Sequence, residues 1–311
     1  MTLLARLSIS RRAPTAELPP RSGLVGGAFK LHTRAAGVCH RTETRETEQN
    51  IPDDHEQRHQ LPAPRLRDLD LEAHLVDPAR KQRFVTPMFD LIAPRYDRFT
   101  RVFSYDMDRR WKAELMRWMA RQLRADANVL DLACGTGDLA FAAAERAPRG
   151  AVLGVDASVA MIDIARARAA HARAGHVRFA VGDVSALDVP TASVDAITAG
   201  YALRNVPDYR RGIAEIARVL KPGGVVATLD FYRPRSALWR RVFLSYLSAA
   251  GNLVGWLWHR EPVVYGYIAR SIDHFVSWQE FSASLVAHGM RVERVRPKLL
   301  GGVALHFARR A

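Results

Sequence analysis

Gly135-Thr136-Gly137 follows directly on an apolar run at 129–133 and opens an alanine-rich stretch at 139–146. A glycine turn between a strand and a helix lets the backbone approach a ligand, and free amides at a helix start attract negative charge. Asp156 lies 21 residues after Gly135 and closes a second apolar run at 152–156, the place from which a carboxylate binds ribose hydroxyls. Asp183, in Gly182-Asp183-Val184, follows a third run at 177–181, where it can accept from an adenine amino group. The turn through Ala140 also satisfies GxGxxG/A, so an NAD-dependent oxidoreductase is the first alternative. Against it, no tyrosine has a lysine four positions on. Asp138 beside the turn also suits a ligand that carries an ammonium, as S-adenosylmethionine does, better than a diphosphate.

Strands and helices in alternation must position these groups. Helical spacing at 80–118 is interrupted at Ala93-Pro94, because proline disfavours helix in the residue before it. Runs at 129–133, 152–156, 177–181, 194–199 and 225–229 read as buried strands, separated by helices at 139–146, from Ser158 to about 173, and at 208–220. Lys221-Pro222-Gly223-Gly224 stops the last of these. Helical stretches to 272, a helix at 278–288 and strand-like runs at 290–295 and 303–308 follow. The expectation is an α/β, Rossmann-like, doubly wound and mostly parallel seven-stranded sheet with helical cap segments. The cofactor core lies at about 128–230 and the caps at 78–127 and 231–280.

The chain has 311 residues, 48% of them hydrophobic and 25% charged, which excludes a fibrous or wholly disordered protein. Two cysteines, Cys39 and Cys134, cannot staple a fold, and no Cys/His clustering marks a metal site. The net charge of +14 admits a nucleic-acid binder, a protein on an anionic membrane, or arginine codon bias, since only five of the 46 basic residues are lysines. Residues 1–77 are rich in Pro, Thr, Glu, Gln and Arg and lack apolar periodicity, so a disordered extension is expected there. Within it, 1–40 is Arg-rich and acid-poor like an organellar transit peptide, though serine-poor for one. That leaves two locations open, the cytoplasmic face of an inner membrane or, with a transit peptide, the matrix side.

Several segments together carry a family resemblance. They are the run from Val129 to Leu139, Gly154-Val155-Asp156-Ala157-Ser158, Leu203-Arg204-Asn205-Val206 and Arg218-Val219-Leu220-Lys221-Pro222-Gly223-Gly224, with Ala93-Pro94-Arg95-Tyr96-Asp97 and Asp108-Arg109-Arg110-Trp111 upstream and Gly301-Gly302-Val303 downstream. From about residue 80 onward the chain resembles the ubiquinone/menaquinone biosynthesis C-methyltransferases. The resemblance implies a class I methyltransferase fold, S-adenosylmethionine as methyl donor, and a polyprenyl quinol as acceptor. It implies that Thr136, Asp156, Asp183 and Val184 line the cofactor site, to which the reading of the glycine turn adds Gly135 and Gly137. Gly200 stands where the family usually has serine, and Phe99-Thr100 where it usually has an aliphatic residue and Asn.

Carbon methylation of a quinol requires the ring hydroxyl to lose its proton, so that the adjacent carbon attacks in line. Arg204 and Asn205, just past the fourth strand, are expected to bind the oxygen, with Tyr96 completing the proton relay. Arg204 pairing only with Asp208, and Tyr96 as a core aromatic, are the plainer alternatives. The uncharged run at 242–258, flanked by arginines, is either a helix buried on the sheet or an apolar lid for a prenyl tail, with Trp256 and Trp258 suited to a membrane interface. An RNA methyltransferase is disfavoured by the absence of a free catalytic cysteine and of an Asn/Asp-Pro-Pro-Tyr segment. No nucleic acid is therefore expected as partner; an anionic membrane surface is. A homodimer is compatible with the sequence, which leaves the oligomeric state open.

Overall fold

Five apolar runs form parallel strands: β1 (Asn128–Leu132), β2 (Ala151–Asp156), β3 (Val177–Val181), β4 (Val194–Gly200) and β5 (Leu220–Phe231). Two antiparallel strands, β6 (Met290–Lys298) and β7 (Val303–Arg310), complete a seven-stranded sheet in the order β3-β2-β1-β4-β5-β7-β6. These elements come from a computed structural model that describes residues 78–259 and 263–311. The extension and the transit segment expected within residues 1–77 lie outside the described residues.

Three helices precede the sheet: α1 (Pro78–Ile92), α2 (Tyr96–Phe103) and α3 (Met107–Met119). The connections carry α4 (Asp138–Ala144), α5 (Val159–His171) and α6 (Tyr209–Val219), and α7 (Ala237–His259), α8 (Val263–Asp273) and α9 (Trp278–Ala287) follow β5. The break expected at Pro94 is a 3₁₀ turn, Ala93–Arg95, with Pro94 near its start, where a missing N–H costs nothing. Ser158 caps α5 by accepting the Met161 N–H at 3.1 Å, and Ser277 with Glu280 forms a capping box on α9. Lys221-Pro222-Gly223-Gly224 stops α6 as expected, but it lies inside β5. Gly223 takes φ +76°, and the register jumps from Val194 opposite Leu220 to Ala196 opposite Val225.

Alternation along the strands divides the interior. In β5, Val225, Ala227 and Leu229 join Leu139, Ala143, Ile162, Ala165 and Leu115 in one core. Val226, Thr228 and Asp230, also buried, take the alternate positions. β7 places His306 within reach of Tyr232 and Trp278; Nδ1 is 3.3 Å from the Tyr232 hydroxyl and Nε2 3.1 Å from the Trp278 carbonyl. That histidine belongs to the packing, as a lone histidine usually does.

The helix α7 has one buried and one exposed apolar face, and none of its described residues lines the cleft at the carboxyl ends of the strands. Its Phe243 and Leu247 are buried against Ala269 and Ile272 of α8, while Leu238, Val242, Tyr246 and Leu253 face out. No helix among the described residues is long and apolar enough to cross a membrane. The side chains of Trp256 and Trp258 lie outside the described residues.

Candidate active site

A cleft open to solvent lies at the carboxyl ends of β1 to β4, where doubly wound sheets bind their ligands. The glycine turn makes its floor. Gly135 has φ +54° and Gly137 φ +95°. A Cβ on Gly137 would come within 2.8 Å of the Phe179 ring, so both the backbone angle and the space require glycine. Of the residues expected at the cofactor, Gly135, Thr136, Asp156, Asp183 and Val184 line the cleft and Gly137 does not.

Each acid is locked by backbone donors. Asp156 accepts the Gly135 N–H at 2.8 Å through Oδ2 and the Ser158 N–H at 2.9 Å through Oδ1, so it shapes the turn as well as facing the cleft. Burial nonetheless pushes its carboxyl above the ordinary range. Asp183 Oδ1 accepts the Ser185 N–H at 2.7 Å. Thr136 donates its hydroxyl to Asp97 at 2.8 Å, and its carbonyl accepts from Arg168 at 2.7 Å.

S-adenosylmethionine fits what these residues offer. Asp131 of β1 faces the cleft with 1% of its surface exposed; Oδ1 accepts from Thr198 at 2.7 Å, and Oδ2 has no partner. Burial pushes this carboxyl up to about 7, with the Thr198 hydrogen bond pulling the other way. A buried acid on the cleft wall with an oxygen that has no hydrogen-bond partner suits a ligand that brings an ammonium. The cleft is also acidic: Asp97, Asp131, Asp138, Asp156 and Asp183 all line it.

Sequence reasoning missed the contribution of α1 and α3. From α1, Val85 and Phe89 line the cleft, and Asp90 accepts the Ser158 hydroxyl at 2.5 Å, tying the cap helix to the N-cap of α5. Lys81 donates to the carbonyls of Arg204 and Val206 at 2.7 and 2.9 Å. Burial, with the nearby Arg204, lowers its ammonium to about 8. From α3, Lys112 reaches into the cleft, 3.0 Å from Asp108 and 3.4 Å from Asp138. Only the Asp108/Lys112 spacing of four was visible in the sequence, and such a pair reads as a helix surface.

Of the three residues expected to handle the substrate, two line the cleft. Tyr96 is half-buried there with its ring edge toward Phe89, and burial pushes its hydroxyl up to about 12 despite the pull of Lys112. Asn205 is held at both ends of its amide: Nδ2 donates to the Tyr201 carbonyl at 2.9 Å and Oδ1 accepts from Tyr267 at 3.0 Å. Arg204 corrects the expectation, for it does not line the cleft. Its guanidinium is buried, 3.7 Å from Asp230, donates to Ser271 and lies over the rings of Phe231 and Tyr267. A charge out of water must take a partner; Arg204 takes Asp230 on β5, not the neighbouring Asp208, which caps α6. Gly200 lines the cleft where the family has serine, and a Cβ there would meet Leu139 at 2.9 Å.

The strand order, the glycine turn and the acids at the strand ends define a class I S-adenosylmethionine-dependent methyltransferase. Geranyl diphosphate C-methyltransferase from Streptomyces coelicolor shares the fold, with TM-score 0.52 over 67% of this chain and 82% of that one at 17% identity. Residues 77–310 match the ubiE/COQ5 methyltransferase family, and the chain belongs to it. It is 34% identical over 222 residues to a ubiquinone/menaquinone biosynthesis C-methyltransferase of Geobacter sulfurreducens, covering 70% of this chain and 84% of the relative. It is 38% identical over 216 residues to a demethylmenaquinone methyltransferase of Deinococcus radiodurans, covering 69% and 88%. The protein is thus an S-adenosylmethionine-dependent C-methyltransferase of quinone biosynthesis.

Proposed function

We propose that the protein methylates a ring carbon of a polyprenylated quinol, demethylmenaquinol or the corresponding benzoquinol of the ubiquinone pathway. The observation that carries this reading is a single cleft in which the glycine turn, Asp156 and Asp183 share walls with Tyr96 and Asn205. Gly135, Thr136, Asp156, Asp183 and Val184 would hold the methyl donor, which supplies an already activated sulfonium when bound.

The protein's task is then the ring. Its carbon becomes nucleophilic only as the adjacent hydroxyl gives up a proton. Tyr96, with its hydroxyl raised to about 12, keeps its own proton at neutral pH. It therefore donates to the ring oxygen and relays the released proton to water at the open side of the cleft, rather than acting as a standing base; the hydrogen on the methylated carbon leaves as a second proton, which restores the aromatic ring. Asn205, fixed by Tyr267 and the Tyr201 carbonyl, orients the ring without needing to reorganise. Arg204 acts from behind as a positioning residue: its backbone N–H donates to Asp230 at 3.0 Å and its carbonyl accepts from Lys81, which fixes the peptide leading into Asn205. Val85 and Phe89 of α1 give that wall an apolar stretch.

A prenyl tail partitions into a bilayer, so docking on an anionic membrane surface, at the cytoplasmic face, belongs to the same reading. The outward stripe of α7, Leu238, Val242, Tyr246 and Leu253, supports it, with the exposed Arg235 and Arg241 beside it. Mass analysis of the quinone pool in a deletion strain tests the reaction: a quinone one methyl short should accumulate, and a normal pool refutes the reading. Flotation with anionic liposomes tests the docking. Binding should weaken at high salt, and equal binding to neutral liposomes counts against it.

A further inference from the structure

The amino-acid end of a methyl donor of this kind carries one ammonium and one carboxylate. The five carboxylates of the cleft suit the first and repel the second. Among the described residues that line the cleft, Lys112 alone is cationic. Arg204, the other cation expected there, is turned away onto Asp230.

The setting of Lys112 is that of a fixed charge. It stands one helical turn after Asp108, which is 7% exposed and holds Nζ at 3.0 Å. Burial pulls its ammonium down, but Asp108 and Asp138 outweigh burial and hold it well above the ordinary lysine value. Its second contact, to Asp138 Oδ2, is long at 3.4 Å, and Asp138 does not depend on it, because Oδ1 takes Arg168 at 3.0 Å. An ammonium has three N–H donors. One is committed to Asp108, one is loosely placed and one remains. Lys112 also sits beside the glycine turn, through Asp138, on the same stretch of wall as Asp131, whose unpartnered Oδ2 is the natural seat for an ammonium.

We propose that Lys112 anchors the α-carboxylate of S-adenosylmethionine, with Asp131 and Asp138 left to the neighbouring ammonium. The zwitterion then lies across a cation and an acid pair of matching sign. This assignment rests on the methyl-donor reading of the cleft, and it is independent of which ring is methylated. It also separates Lys112 from the ring chemistry, for which a lone cation in the cleft would otherwise be the first candidate.

Calorimetric binding to the full chain tests it, with S-adenosylmethionine and its decarboxylated analogue as probes. The analogue keeps the sulfonium, the ammonium and the nucleoside. The wild type should prefer the carboxylated ligand, and Lys112→Met should weaken that ligand on the order of 30-fold, the loss of one charge-assisted hydrogen bond. The analogue should change by less than about threefold in the same variant. Because Lys112→Met leaves Asp108 buried and unpaired, the same pair of measurements is made on K112M/D108N, and Lys112→Arg should restore most of the preference. Equal weakening of both ligands overturns the assignment, as does unchanged binding of both with a fall in kcat alone, which would give Lys112 to the quinol. Failure of the wild type to bind either ligand would instead overturn the methyl-donor reading itself.

Discussion

Replacing Arg204 by Met should unsettle the fold before it touches the chemistry. The Arg204 and Asp230 side chains are 5% and 3% exposed, and removing one partner of such a pair leaves a bare buried charge at about 3 to 5 kcal/mol. Two features hold the loss near the lower figure. Asp230 keeps the N–H donors of residue 204 at 3.0 Å and of Phe231 at 2.8 Å, and Met fills much of the space between the Phe231 and Tyr267 rings. The loss should also depend on pH. Burial already raises the Asp230 carboxyl while Arg204 pulls it down; without the guanidinium it rises further. An acid raised in the folded state stabilises below its unfolded pKa and loses that contribution as pH rises through the folded one. Arg204→Met should therefore lie closest to wild type in mild acid and fall to about 3 kcal/mol below it at pH 8. Urea unfolding at pH 5.5 and 8 measures this, and R204M/D230N should recover most of the loss. A gap at pH 8 below about 1 kcal/mol, together with collapsed turnover, would refute the structural role and return Arg204 to the substrate.

Three further outcomes are expected. Gly137→Ala places a side chain at φ +95° and a Cβ within 2.8 Å of Phe179, and should cost about 1 to 3 kcal/mol in thermal unfolding; wild-type stability would remove the steric argument for the turn. Tyr96→Phe should lower kcat on the order of 100-fold with S-adenosylmethionine affinity within about twofold, and a loss of affinity without loss of kcat would contradict the relay. Asp131, raised to about 7, stabilises the ligand-free protein most below the ordinary carboxylate range and loses that contribution as pH rises through about 7. Asp131→Asn should flatten this slope in thermal unfolding between pH 5.5 and 8.5, and equal slopes in both proteins would sink the assignment.

The parts of this site that were legible in the sequence are those whose signal is local. Parallel strands buried on both faces read as short apolar runs, and the glycine turn and Asp156 fall at the ends of two of them; Asn205 follows from its place just past the fourth strand, and Tyr96 from the family resemblance of Ala93-Pro94-Arg95-Tyr96-Asp97. What stayed hidden depends on pairing across the chain. Arg204 had an acid four positions on in Asp208, but its partner is Asp230, 26 positions away on the next strand. Lys112 meets Asp138 across 26 residues and Asp90 meets Ser158 across 68. No periodicity marks such contacts, because they are set by how α1 and α3 lie across the strand ends. Asp131 was read as one residue of an apolar strand, and only the packed sheet makes it an acid with an unpartnered oxygen.

The distribution of charge decides between the two ligands that the glycine turn allowed. The chain carries +14, yet the cofactor half is neutral, and the excess lies in residues 78–127 and 231–311. The cleft nonetheless concentrates acids: Asp131, Asp138, Asp156 and Asp183 from that half, with Asp97 from α2, against Lys112 of α3. A dinucleotide would bring a pyrophosphate, two negative charges, against Asp138 and Asp156 in a low-dielectric cleft, and like charges so placed repel strongly. S-adenosylmethionine brings a sulfonium and an ammonium against one carboxylate, and its net positive charge is attracted by the same field. Several arginines of the flanking segments pair with acids of the protein itself, as Arg240 does with Asp273 and Arg309 with Glu293. On α7 the exposed Arg241 stands beside the apolar stripe that the proposed docking would use; a polynucleotide would use the arginine and leave the stripe in water. Concentration of acid in the cleft thus selects a cationic cosubstrate over a dinucleotide.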